Sequence, residues 1–249
     1  MTTKQTGAQT TKPPKLKIGL YDSGIGGLTV LKELIQTYPE HDYIYLGDNQ
    51  RAPYGNKPIE KLWYINQELI QFLMDQEISI LVLACNTSCA LFLDKIQQKL
   101  PVPVVGLLPI AAKKAVEKSP NQRISILATQ RTAEQHAYQS EIAKIAPQSH
   151  IQEIPCPKLV PIIENNQISD PNQEETITYY LKEALSFKPD TIIYGCTHYP
   201  YLAPIWRYHC PPHIHLINPA EHISETIDPL IPKSINSILF LLHLLIFFL

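Results

Sequence analysis

No basic run, and no interleaving of aromatic with basic side chains, occurs in the 249 residues. The electrostatic footprint of a nucleic-acid binder is therefore missing. Lys plus Arg number 21 against 23 Asp plus Glu, a balance that leaves a small molecule as the expected partner. The first 30 residues carry no continuous apolar stretch of the kind a secretory leader needs. No apolar run reaches the roughly 20 residues of a membrane-spanning helix. Five cysteines, Cys85, Cys89, Cys156, Cys196 and Cys210, form an odd set with no paired CxxC spacing, which argues against a disulfide framework. A zinc site from Cys85, Cys89, Cys196 and His198 is a poor match to the usual ligand spacings. These absences predict a cytoplasmic location. Charged residues are 18% and hydrophobic residues 45%, ordinary values that exclude both a disordered chain and a polytopic membrane protein.

What is present begins with a polar, Thr-rich stretch closed by Pro13 and Pro14. It reads as a disordered tail over residues 1–15, with a transit peptide as the competing reading. From Leu16 onward short apolar runs alternate with turns and then segments of helical periodicity, the pattern of βα units around parallel sheets. Strands are predicted at Lys17–Tyr21, Tyr43–Leu46, Ile78–Ala84 and Val102–Gly106, and again at Arg123–Ala128, His150–Ile154, Asp190–Tyr194 and Ile214–Ile217. The second series follows the first at an offset of about 110 residues, the mark of a duplicated unit. Locally, LVLACNT (81–87) answers IIYGCTH (192–198). Two similar α/β halves facing one another would line a cleft with equivalent loops, because ligands of open α/β sheets lie beyond the carboxyl ends of the strands. The alternative is one continuous sheet whose regularity imitates a repeat.

Cys85 falls where a strand turns into a helix, a place where free N–H groups and the helix dipole favour a thiolate. Cys196 occupies the equivalent position in the other half. One such cysteine is as easily structural as reactive; two related by the repeat suit an opposed base and acid acting on the two faces of one stereocentre. Cys89, one helical turn after Cys85, is read as a packing residue, and Cys156 and Cys210 as structural. The turn after the first strand holds Asp22, Ser23 and three glycines, Gly24, Gly26 and Gly27. It has neither GxGxxG spacing nor a Walker lysine, so a small anion or ammonium ligand suits it better than a nucleotide. Pyridoxal phosphate would need a Schiff-base lysine in the cleft, and no strand-end motif supplies one, so no cofactor is expected.

DSGIGG (22–27), APYG (52–55), ACNT (84–87), CPKLVPIIE (156–164) and GCTHYPYL (195–202) together resemble the glutamate racemase group of the Asp/Glu racemase family. The resemblance implies a cofactor-independent isomerase that supplies D-glutamate for bacterial peptidoglycan. It implies two α/β domains related by a pseudo-two-fold axis, residues 16–107 plus 218–249 and residues 108–217, with the active site between them. It makes Cys85 the base toward D-glutamate and Cys196 the base toward L-glutamate, supported by Asp22, Glu164 and His198. Asp22, Ser23, Pro53, Tyr54, Gly55, Asn86, Thr87, Thr129, Thr132, Thr197 and His198 would hold the substrate. Two stretches depart from the family pattern. Gln135 stands where a serine is usual, and beyond about Ile227 the closing sequence is replaced by SILFLLHLLIFFL (237–249). That run is too short to span a bilayer and reads as a helix packed on the first half or at the interface of a homodimer; exposed, it would be an aggregation liability or a membrane-surface anchor. Aspartate or a related amino acid as substrate, and a two-lobed binder without turnover, are the competing functions.

Overall fold

Runs of Ile, Leu, Val and Tyr that cannot alternate with polar residues must be covered on both faces, and both halves of the chain solve this in the same way. The computed structural model describes residues 15–231 and 243–249; the polar tail expected before Lys15 lies outside them. The first sheet contains β1 (Lys17–Asp22), β2 (Asp42–Gly47), β3 (Ile80–Leu83) and β4 (Val104–Gly106), and the second β5 (Arg123–Ala128), β6 (His150–Pro155), β7 (Thr191–Gly195) and β8 (His215–Ile217). The orders are β4-β3-β1-β2-β9 and β6-β5-β7-β8, with every pairing parallel. Read from β8, the second sheet repeats the first through its four matching strands. The duplicated arrangement expected from the offset is therefore present as two sheets rather than one.

The helices are α1 (Leu28–Thr37), α2 (Ile59–Asp75), α3 (Asn86–Gln97), α4 (Leu107–Lys118), α5 (Gln130–Glu134), α6 (Ala137–Ile145), α7 (Leu159–Glu164), α8 (Pro171–Ser186), α9 (Ala203–His209) and α10 (Ser224–Ile227). Helix α1 and Ile223 and Ile227 cover one face of the first sheet through Ile18, Leu20, Tyr43 and Val82. The other face packs on α2 and α3, and that core continues without a break through Ala111, Ala112 and Tyr138 to Ile124 and Ile126 of the second sheet. Trp206 is fully buried against α8, its indole N–H donating to the Ile177 carbonyl at 3.1 Å. After Thr132 the chain departs from a single continuous helix: α5 ends at Glu134, His136 takes a left-handed φ of 48°, and α6 starts anew.

Where the sequence suggests a helix in the apolar run at the end of the chain, its described residues form a strand instead. Residues Leu244–Phe248 form β9, parallel to β2 from Tyr43↔Leu244 to Gly47↔Phe248; 237–242 of that run lie outside the described residues. An apolar run with no polar stripe has no wet face to offer as a surface helix, whereas β2 has an edge of unpaired backbone groups that a strand satisfies. Tyr43 N–H donates to the His243 carbonyl at 2.9 Å, and Leu249 N–H to Gly47 at 2.9 Å. The side chains of β9 remain between 37% and 51% exposed, and Phe247 meets Phe72 edge-on at 5.3 Å between centroids.

Candidate active site

The carboxyl ends of β1, β3, β5 and β7 deliver Ser23, Cys85, Thr129 and Cys196 to one cleft. Of the residues singled out in the sequence, Ser23, Pro53, Tyr54, Gly55, Cys85, Asn86, Thr87, Thr129, Cys196, Thr197 and His198 all lie on its wall. Asp22, Thr132 and Glu164 stand behind it. Asp22 is fully buried, and its oxygens are engaged by the Gly24 N–H at 3.0 Å and the Thr197 hydroxyl at 3.0 Å. It is placed to act through Thr197 and on the charge of the cleft rather than as an open ammonium acceptor. Thr132 is likewise sealed, bonded to Thr129 at 2.9 Å and Thr87 at 3.3 Å, while Thr87 and Thr129 meet at 3.0 Å. These three hydroxyls tie the two halves together at the floor of the cleft.

Cys85 is the N-cap residue of α3, as the sequence suggests, yet the thiolate-favouring expectation does not hold. Burial pushes the thiol up to about 12, the neighbouring Asp22 carboxylate adds to the rise, and hydrogen bonding from Ser88 offsets it only in part. Desolvation of a buried sulfur outweighs the helix N-terminus. Asp22 is itself raised by burial, against the pull of His198 and the N–H groups around it.

Cys196 has a different neighbour. Its sulfur lies 3.7 Å from His198 Nδ1, and His198 Nε2 lies 2.5 Å from Glu164 Oε1. Burial works against charge on His198, but the Cys196 sulfur, Glu164 and Asp22 outweigh it and lift the imidazole to about 10. Burial likewise works against the Glu164 carboxylate, and His198 more than compensates, holding it below its ordinary range. A carboxylate, an imidazolium and a sulfur thus form one line ending in the cleft. Glu164 is the last residue of α7, and the apolar residues of that helix, which turn into the core, fix the direction of its side chain.

The glycines of the first loop have a use other than the one expected. None has a positive φ, and the N–H groups of that loop meet the protein's own carboxylates, Gly24 on Asp22 and Ile25 on Glu164 at 3.4 Å. A Cβ on Gly24 would strike Glu164 Oε1, and one on Gly26 would strike His198 Nδ1 and Thr197 Oγ1. The loop is glycine-rich because it lies flat against the support of Cys196. Gly26→Ala is therefore expected to cut turnover by roughly 10²-fold through displacement of His198 while costing about 1–3 kcal/mol of stability. Steady-state rates alongside a thermal melt check it, and an Ala variant of wild-type activity would refute the packing argument.

Sequence reasoning missed Asn56, Gln130, Cys156, Pro157, Val160 and Pro161, which complete the wall. Cys156 is a wall residue as well as a packing one, its thiol turned to the Ile154 carbonyl at 3.3 Å. The prolines on either side of Lys158-Leu159-Val160 were the available signal, since they shape the entry into α7. Cys89 donates to the Leu83 carbonyl at 3.1 Å, away from the cleft. Among the described residues no helix is long and apolar enough to cross a membrane.

Residues 25–224 match the family model described as Asp/Glu/Hydantoin racemase. The chain is 38% identical over 212 residues to the glutamate racemase of Trichormus variabilis, covering 85% of this chain and 72% of that one. Its fold matches a glutamate racemase isoform from Bacillus anthracis with a TM-score of 0.87 at 27% identity, over 95% of this chain and 89% of that one. It matches the Francisella tularensis glutamate racemase, solved in complex with D-glutamate, with a TM-score of 0.82 at 28% identity, over 94% and 88%. With the family model spanning most of the chain and both sheets reproduced in solved relatives, the chain belongs to the Asp/Glu/hydantoin racemase family and is a racemase.

Proposed function

We propose that this chain is a cofactor-independent glutamate racemase working by two-cysteine proton transfer at Cα, and that it supplies D-glutamate for peptidoglycan synthesis. The observation that carries the reading is the pair of thiols, Cys85 and Cys196, at equivalent strand ends of the two halves on one cleft wall. In this scheme one sulfur, as thiolate, takes the Cα proton: the C–H bond breaks and an S–H bond forms. The opposite thiol gives its proton to the other face of the same carbon, so the stereocentre inverts with no net oxidation. Substrate choice and the two directions follow the relatives and the family resemblance, with Cys85 acting on D-glutamate and Cys196 on L-glutamate.

The asymmetry in the supports gives the two thiols different tasks. A buried Cys85 pushed up to about 12 rests as a thiol and serves first as the acid, and a substrate ammonium group entering the cleft would favour its thiolate for the reverse direction. His198 holds a proton against Cys196, steadied by Glu164. Asn86, Thr87, Thr129 and Thr197, with Ser23 and the Pro53-Tyr54-Gly55 turn, hold the carboxylates and amine; Asp22 and Thr132 support them from behind. The cleft is the seam between the two domains proposed from the sequence. A cytoplasmic location belongs to the same proposal, and homodimerisation finds support in the half-exposed apolar edge strand β9.

Incubation in D₂O tests this reading. Purified protein without added cofactor should place deuterium at Cα of both D- and L-glutamate and bring either enantiomer to a racemic mixture, faster than with aspartate. No exchange into either would leave a binder rather than an enzyme.

A further inference from the structure

Asn86 follows Cys85 directly and is the first residue of α3, lining the cleft at 3% exposure. Its Oδ1 accepts a hydrogen bond of 2.7 Å from the Tyr138 hydroxyl, whereas its Nδ2 is buried and has no partner among the described residues. Tyr138 is not on the cleft wall. It belongs to α6 in the other half, has no exposed surface, and sits in the apolar core that joins the two sheets.

We propose that Tyr138 is a positioning residue that fixes the Asn86 amide so that its NH₂ faces the cleft, where it donates to a carboxylate oxygen of the substrate. The proposal rests on the racemase reading above. The orientation follows from counting donors and acceptors. A phenol has one hydrogen to give, and among the described residues Asn86 Oδ1 accepts it. Turning the amide over would leave that hydrogen and the carbonyl oxygen both buried without partners, a costly outcome. Burial pushes the phenol well above the ordinary tyrosine range, so the hydroxyl is a donor at neutral pH. The remaining buried group, the amide NH₂, is then the one left for the ligand. Because the hydroxyl and the amide come from different halves, this bond also fixes the distance between the cleft walls at the point where Cys85 enters.

Tyr138→Phe keeps the ring and removes only the hydroxyl, so the core remains filled. The expected result is a KM for D- and L-glutamate raised about tenfold with kcat changed less than about threefold, the loss of one oriented hydrogen bond. In an Asn86→Ala background the same substitution should add no further rise, since the residue through which Tyr138 acts is gone. A residue that merely packs would shift KM equally in both backgrounds, and that result, or an unchanged KM in the single variant, overturns the proposal while leaving the racemase reading in place. A wild-type protein that exchanges no Cα proton with either enantiomer overturns both. Thermal melts of all three variants establish that each is folded.

Discussion

Cys85→Ser is expected to lower racemisation in both directions by roughly 10²–10⁴-fold, the usual range for removing a positioned acid or base, and to do so without erasing all chemistry. Serine nearly matches the volume of a side chain that is 4% exposed, so the fold should be kept. Its hydroxyl cannot hold the negative charge that a thiolate holds. With Cys196 still present, the proton on the L face can be taken and returned, and the thiol exchanges with solvent between the two events. L-glutamate should therefore still gain deuterium at Cα with retention, while D-glutamate should not. Cys196→Ser should give the reciprocal result. Two variants that lose exchange with both enantiomers alike would rule out the division of faces, and two that racemise at the wild-type rate would remove the thiols from the mechanism altogether.

The parts of this arrangement legible in the sequence are those set by short-range pattern. Runs such as ILVL before Cys85 and TIIYG before Cys196 are apolar on both faces, so they read as buried parallel strands, and strand ends in such sheets are where sites form. Eight of the eleven wall residues anticipated from motifs sit within four positions of a strand end, and Pro53, Tyr54 and Gly55 belong to the turn between β2 and α2. What was not legible depends on partners distant in sequence. The expected fall in the Cys85 thiol rests on local helix geometry, and it is reversed by burial and by Asp22, which only the folded sheets bring to it. The glycines of 24–27 look like an anion loop until Glu164 and His198, some 140 to 170 positions on, are seen pressing against them. The terminal strand has the same cause, since its pairing edge on β2 is about 200 residues away. The Tyr138–Asn86 bond has no sequence signal of its own, since neither residue announces a partner 52 positions away.

The second large effect concerns the other support. His198→Asn removes the imidazolium between Glu164 and Cys196 and is expected to slow the L-to-D direction by about 10²-fold. The D-to-L direction should lose kcat/KM by the same factor, because it passes through the same transition states in reverse and the two enantiomers have equal free energy. The pH profile gives the decisive signature. The ordinary histidine value of 6.5 is raised to about 10 in the fold, so the imidazolium is present from acid pH to about pH 10. The L-to-D rate of the wild type should fall as pH rises past that point, and the fall should be missing in the variant. Stability follows the same sign: a group whose value is raised on folding contributes fully below about pH 6.5 and loses that contribution as pH climbs through about 10. Wild-type melting temperature should therefore decline across that window more steeply than that of His198→Asn. Glu164→Gln keeps an acceptor for Nε2 but removes the charge, so it should move the alkaline fall to lower pH rather than abolish it. If the alkaline limb of the L-to-D rate stays where it is in both variants, the line from Glu164 through His198 to Cys196 has no part in controlling the proton.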